Sequence, residues 1–253
     1  MTLDELRQIA ASVAPRRGWD FSRVRDDRDP VPWKYDEVVR RFLQTDDRVL
    51  DVGTGGGETF LALAPSFGSG IGVDPDPAMI AAARENLPTS LAEKVTFTEG
   101  RAGALPVHDA SCDVVLNRHV VVDVAEVVRV LRPGGCFITQ QVGAQNTFNI
   151  TTLFGCGPGV GGQRIAPEQE IPALADAFQQ HGCAIVSYAT YNVPSYFKDA
   201  ESLLFWMQAV GVPPHFDIEQ DWQSVNYLLT EYMTLRGVET NEHRELLIVR
   251  APG

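Results

Sequence analysis

Five residues between positions 51 and 74 have types and spacing that can do chemistry. Asp51, Gly53, Gly55 and Gly57 follow an acid-x-Gly-x-Gly-x-Gly pattern, and Asp74 closes the run Ile71-Gly72-Val73-Asp74-Pro75. Glycines let a chain turn sharply and let a ligand approach the backbone, because no Cβ intervenes. A nicotinamide-type Gly-x-Gly-x-x-Gly register started at Gly53 meets Glu58 where its third glycine belongs, and a start at Gly55 fits no better. Asp51, two residues before the first glycine, suits the ammonium of an amino-acid moiety and is a poor neighbour for a pyrophosphate. Asp74 can accept hydrogen bonds from both hydroxyls of a ribose. Its other reading is as N-cap of a helix starting near Pro77, a position that Asp76 fills better. Further on, Asn117-Arg118-His119 offers a histidine whose ordinary pKa suits a general base. The alternative is that His119 bonds a carbonyl and shapes its loop.

The elements that must carry these residues follow from periodicity. Short apolar runs at 49–52, 70–73, 95–98, 113–116 and 136–141 read as strands, and helices are expected at 59–63, 77–85 and 124–131. Such alternation implies right-handed crossovers and a buried parallel sheet. In such a sheet the ligand crevice lies beyond the carboxyl ends of the strands, and the turn after the first strand aims backbone N–H groups into it. Before this core, 3–14 reads as an amphipathic helix, 15–32 as a loop or arm, and 37–43 as a short helix. After it, the Gly-rich stretch 154–162 is expected to be a mobile loop without regular structure. Helices are then expected at 168–180, 199–210 and 218–235, and strands at 183–193 and 245–249.

Composition bounds the rest. The 253 residues, 44% hydrophobic and 21% charged, suit one soluble α/β domain. The division reads as a single domain over 1–253, with a helical arm (1–46), a core (47–142) and a second half of the sheet (143–253) carrying an insertion at about 194–236. No apolar run approaches a membrane span, and the N-terminus lacks a secretory pattern, so a cytoplasmic protein is expected. A net charge of −12 disfavours a nucleic-acid partner. The four cysteines, Cys112, Cys136, Cys156 and Cys183, form no C-x-x-C pair, and three of them open apolar runs as structural thiols do.

From Arg48 to Gln141 the chain resembles the class I S-adenosylmethionine (SAM)-dependent methyltransferase family. The likeness rests on the glycine turn, Asp74, Leu105-Pro106, Asp113 and Leu131-Arg132-Pro133-Gly134-Gly135, and it is nearest to enzymes acting on small molecules. It implies a Rossmann-like, seven-stranded mixed α/β sheet flanked by helices. The last strand, 245–249, would be antiparallel, with a helical arm before the sheet and a helical insertion before that strand. The cofactor implied is SAM, with S-adenosylhomocysteine (SAH) as product. Asp51, Gly53, Thr54 and Gly55 would hold its methionine part, Asp74 the ribose, and Pro75 and Met79 the adenine. Asn117 would meet the methionine end through its backbone. Where the family reads Gly-Asp-Ala, this chain has Gly100-Arg101-Ala102, and Arg101 cannot accept the adenine amino group. Ala102 N–H could still serve the ring.

The acceptor is expected to be a small, apolar or aromatic molecule. Trp19, Phe21, Trp33 and Tyr35 in the arm, with Phe197, Phe205, Trp206, Trp222, Tyr227 and Tyr232 in the insertion, either pack onto the sheet or form a lid over such a substrate. Trp19, Trp33, Tyr35 and Arg118 are the candidate substrate contacts, and no metal site is expected. Competing readings are a SAM- or SAH-binding protein without catalysis, an RNA or protein methyltransferase, and aminopropyl transfer. The last wants anions where Arg118 supplies a cation.

Overall fold

The computed structural model describes residues 1–13 and 20–253. Its strands are β1 (Asp26–Arg28), β2 (Arg48–Val52), β3 (Ser69–Asp74), β4 (Val95–Glu99), β5 (Cys112–Arg118), β6 (Leu131–Val142), β7 (Ala184–Phe197), β8 (Met233–Thr234) and β9 (Gly237–Arg250). Its α-helices are α1 (Leu3–Ser12), α2 (Tyr35–Arg40), α3 (Glu58–Leu63), α4 (Pro77–Asn86), α5 (Val124–Val130), α6 (Phe148–Leu153), α7 (Ile171–Gln180), α8 (Ala200–Val210) and α9 (Ile218–Glu231). Strands follow the order β1-β7-β9-β6-β5-β2-β3-β4, with β8 paired to β9. The expected Rossmann-like mixed α/β architecture is present, but the described residues form nine strands, not seven. The chain divides into two compact units, each assembled from three segments.

The larger unit comprises 33–141, 167–189 and 245–253. Here β2 pairs in parallel with β3 on one side and β5 on the other, while β4 extends β3 and β6 extends β5. The chain thus leaves β2 toward β3 and β4, then returns to the opposite side of β2 for β5. That reversal is the topological switch point, and it lies between β2 and β5. Both faces of the sheet are covered, as a parallel sheet requires. Val49 packs in the cluster with Phe60, Leu63, Phe67 and Ile80, whereas Leu50 and Val52 pack in the one with Val127, Leu174 and Phe178. The period of two therefore puts Asp51 on the Val49 face, where α2 brings Tyr35.

The second unit comprises 1–32, 142–166 and 190–244. A capping box between Thr2 and Glu5 starts α1, which packs on α8 and α9. Leu6, Leu203, Leu204, Met207, Val225 and Leu228 form its core, so the two late helices bury an apolar centre together with α1. Of the aromatic residues considered for a lid, Phe21 and those of the insertion belong to this unit, whereas Trp33 and Tyr35 belong to the larger one. Phe21 meets Phe205 edge-on at 6.2 Å, and Phe197 lies 5.4 Å from Trp206. Trp19 falls outside the described residues.

Three local expectations are corrected. The arm contains β1, whose sequence Asp26-Asp27-Arg28 has no apolar alternation. It becomes a strand by pairing with 195–197 of β7, and Asp27 is held by Lys198 and Arg236. The last strand starts at Gly237, because the polar run at 241–244 spends its side chains in hydrogen bonds such as Asn241 Nδ2 to Gln145 O. The Gly-rich stretch is hydrogen-bonded rather than irregular. Gly157 N–H donates to Gly162 O at 2.8 Å, a short 3-10 turn covers Val160–Gly162, and α6 precedes it. No described helix is long and apolar enough to cross a membrane.

Candidate active site

The glycine turn is built from inside. Gly53 and Thr54 N–H groups both donate to Val73 O, at 2.8 and 3.0 Å, and Gly55 N–H donates to Asp74 Oδ2 at 2.9 Å. These three donors, expected to face the methionine part of a ligand, are therefore spent on β3. What the glycines supply is conformation and closeness. Gly53 has φ +77°, and a Cβ there would lie 2.5 Å from Val120 Cγ2, so only glycine lets the loop after β5 close over the turn.

Asp74 is buried, and its second oxygen accepts from Asp76 N–H at 3.0 Å. Asp76 caps α4 by accepting from Ala78 N–H, which leaves Asp74 outside the cap role. A carboxylate has about four acceptor positions. Two are taken here, and the other two suffice for a vicinal diol.

Asp51 is 8% exposed, and burial pushes its pKa up to about 6. The neighbouring Thr54 side chain and the Arg118 charge pull the other way, while Asp74 adds to the rise. Arg118 donates to Thr59 Oγ1 at 3.1 Å and lies 5.7 Å from the Tyr35 ring centre. Tyr35 itself is buried, its hydroxyl donating to Asn117 O at 3.4 Å, and burial together with Asp51 raises its pKa. One carboxyl, one guanidinium and a buried phenol thus converge where β2 and β5 end.

The loop after β5 is tied to β6. Asn117, 1% exposed, accepts through Oδ1 from Thr139 and Gln141, and Gln141 also reaches Val120 O. His119 has φ +60°, its N–H donates to Gln140 O, and its ring Nε2 faces Gln140 Nε2 at 3.4 Å. Trp33 Nε1–H donates to Gln140 Oε1 at 3.1 Å. Residues 50–139, which include Asp51, the glycine turn, Asp74 and the Asn117–His119 stretch, match the family model described as a methyltransferase domain. Over these residues the chain is similar to methyltransferase domains.

The relatives agree on the domain and differ beyond it. An arsenite methyltransferase of Halobacterium salinarum is 45% identical over 100 residues, 35% of this chain and 25% of that protein. The uncharacterized methyltransferase YcgJ of Bacillus subtilis is 36% identical over 102 residues, 38% of this chain and 40% of that protein. The chain thus matches two fifths or less of the length of these curated relatives. The crystal structure of YcgJ superposes with a TM-score of 0.63 at 20% identity, covering 87% of this chain and 98% of its own. The [4+2]-cyclase SpnF shares the fold over 99% of this chain and 92% of its own, with a TM-score of 0.57 and 16% identity.

The site offers a donor set that fits SAM. Asp51 and Arg118 are complementary to an α-amino acid, and Asp74 has acceptor capacity for a ribose. Pro75 is exposed and Met79 half-buried at the start of α4, just beyond Asp74. Arg101 remains the departure. It is exposed, bridges to Ala104 and places no acceptor beside Ala102. A carboxylate does stand nearby. Asp123 caps α5 through Oδ1, and its Oδ2 lies 3.4 Å from where a Gly103 Cβ would be. Asp113 belongs elsewhere. It accepts from Arg48 N–H and pairs with Arg132, bracing the start of β2. Sequence reasoning missed Thr59, Gln140, Gln141 and Asp123. Only Gln140-Gln141, a polar pair ending an apolar strand, left a signal.

Proposed function

We propose that this protein transfers the methyl group of SAM to a small, apolar or aromatic molecule. The observation that carries the reading is the pair of buried carboxylates at the ends of adjacent strands, Asp51 on β2 and Asp74 on β3, linked through the glycine turn. Bound there, SAM supplies an electrophilic methyl on a sulfonium. Asp51, ionised and countered by Arg118, would receive the ammonium, and Arg118 would receive the α-carboxylate. Asp74 would take the ribose hydroxyls. Ala102 and the Pro75–Met79 side would flank the adenine, with Asp123 standing in as acceptor for the missing family aspartate. Transfer then needs an acceptor atom held in line, about 3 Å from the methyl.

A small apolar acceptor is supported by charge and by the loop after β5. The net charge of −12 opposes a polyanionic substrate. Val121, beside His119, is an apolar side chain 63% exposed. A thiophilic acceptor such as arsenite finds less support. Cys112, Cys136 and Cys183 are buried, and burial raises all three pKa values, that of Cys136 to about 11. Among the described residues no group of three or more His, Cys, Asp and Glu is arranged to hold a metal ion.

The test is incubation with methyl-labelled SAM and a fractionated cell extract. Label in an organic-extractable small-molecule fraction supports the proposal. Label confined to protein or RNA overturns the acceptor class, and SAM binding without transfer to any fraction makes the chain a binding protein.

A further inference from the structure

Trp33, Gln140 and His119 form a line of hydrogen bonds whose direction is fixed by one end. An indole N–H can only donate. Trp33 Nε1 lies 3.1 Å from Gln140 Oε1, so that contact decides which way the Gln140 amide faces. The amide nitrogen is thereby turned to His119 Nε2, 3.4 Å away. An amide NH2 has no lone pair to offer, so the ring nitrogen must accept. A neutral imidazole that accepts at Nε2 carries its proton on Nδ1.

The backbone holds the ring in place for this contact. His119 sits in the left-handed region at φ +60°, a conformation costing about 1 kcal/mol or more for a residue with a Cβ. Its N–H is tied to Gln140 O at 3.0 Å, so the same glutamine fixes both its main chain and its ring. Asn117 and Gln141 brace the loop on either side.

We propose that Trp33 and Gln140 are positioning residues that set the tautomer of His119, keeping the ring neutral, protonated on Nδ1 and with its Nε2 lone pair engaged. Proton uptake at Nε2 would bring two donors together, and relieving that by turning the amide would face the Trp33 N–H with a second donor. His119 in this arrangement is a hydrogen-bond donor at the mouth of the site, not the general base its residue type suggests. Its role in transfer rests on the methyltransferase reading, whereas the tautomer does not.

The test is long-range 15N–1H correlation on the full chain labelled at histidine, with the His119 signals assigned from His119→Asn. The five histidines keep such a spectrum readable. Wild type is expected to show Nδ1–H. Gln140→Glu, whose carboxylate can only accept from both neighbours, should move the proton to Nε2. Trp33→Phe should give a mixture, as the amide is released to rotate. Nε2–H in the wild type, or an unchanged tautomer in Gln140→Glu, overturns the proposal, and circular dichroism separates either result from misfolding. Turnover supplies the functional arm. Gln140→Met should lower kcat at least tenfold and leave KM for SAM within twofold; equal loss in both would mark a merely structural role. A wild type that binds no SAH would fail the methyltransferase reading while leaving the tautomer result standing.

Discussion

Asp51→Asn should stabilise the ligand-free protein, and the gain should grow with pH. Burial raises the Asp51 pKa from 3.8 to about 6, so the folded state holds its proton over a range where the unfolded chain has released it. Stability is therefore lost as pH rises from about 3.8 to about 6, and the loss is constant above that. The full difference amounts to about 3 kcal/mol at pH 8 and about 1.5 kcal/mol at pH 5. Asparagine keeps the shape and does not ionise, so the variant escapes this cost. Arg118 loses its counter-charge, but it is exposed, and water replaces the loss cheaply. Urea unfolding with a slope of about 3 kcal/mol per molar would show a midpoint gain approaching 1 M at pH 8, shrinking by about half at pH 5. The same variant should bind SAH at least tenfold more weakly. A variant less stable than wild type at pH 8, or one whose gain does not change with pH, would refute the reasoning that Asp51 is a buried charge kept for a ligand.

Other consequences are separable. SAH affinity should fall about tenfold between pH 7.5 and pH 5, because the ammonium needs an ionised Asp51 and only about a tenth remains ionised at pH 5; a flat calorimetric profile would remove Asp51 from the contact. Arg118→Met should weaken SAH binding tenfold or more and leave 5′-methylthioadenosine, which lacks the amino-acid part, within twofold; parallel losses would mean Arg118 only supports the fold. Asp74→Asn should cost SAH binding about 1–3 kcal/mol through charged hydrogen bonds; unchanged affinity would leave Asp74 as a brace for Gly55 and Asp76. Gly53→Ala should destabilise the chain by about 2–4 kcal/mol, since the Cβ meets Val120 and φ is +77°; a urea midpoint equal to wild type would contradict that packing.

The readable parts of this chain are those where local pattern and final environment agree. β2, β3 and β5 are apolar runs buried on both faces, so their order and the turn at Gly53 could be read directly. Asp51 and Asp74 stood out because an acid at a strand end beside glycines has few structural uses, and both are buried there. Residues whose roles come from partners distant in sequence were not legible. β1 is a charged tripeptide made into a strand by β7, and the polar end of β9 resembles a loop until Gln145 and Asn146 satisfy it. Tyr35, read as a substrate contact, instead lies under Arg118 and against Asn117 O. The turn's N–H groups were misjudged for the same reason. A donor free in the sequence reading had already been taken by Val73 O or Asp74.

Titration calorimetry with SAH on the wild-type chain at pH 7.5 tests the central claim most directly. A carboxylate pair at the ends of β2 and β3 that holds the amino-acid and ribose parts should give a single site with a micromolar Kd, on the order of −8 kcal/mol. Absence of both binding heat and thermal stabilisation, at SAH concentrations well above micromolar, would contradict it.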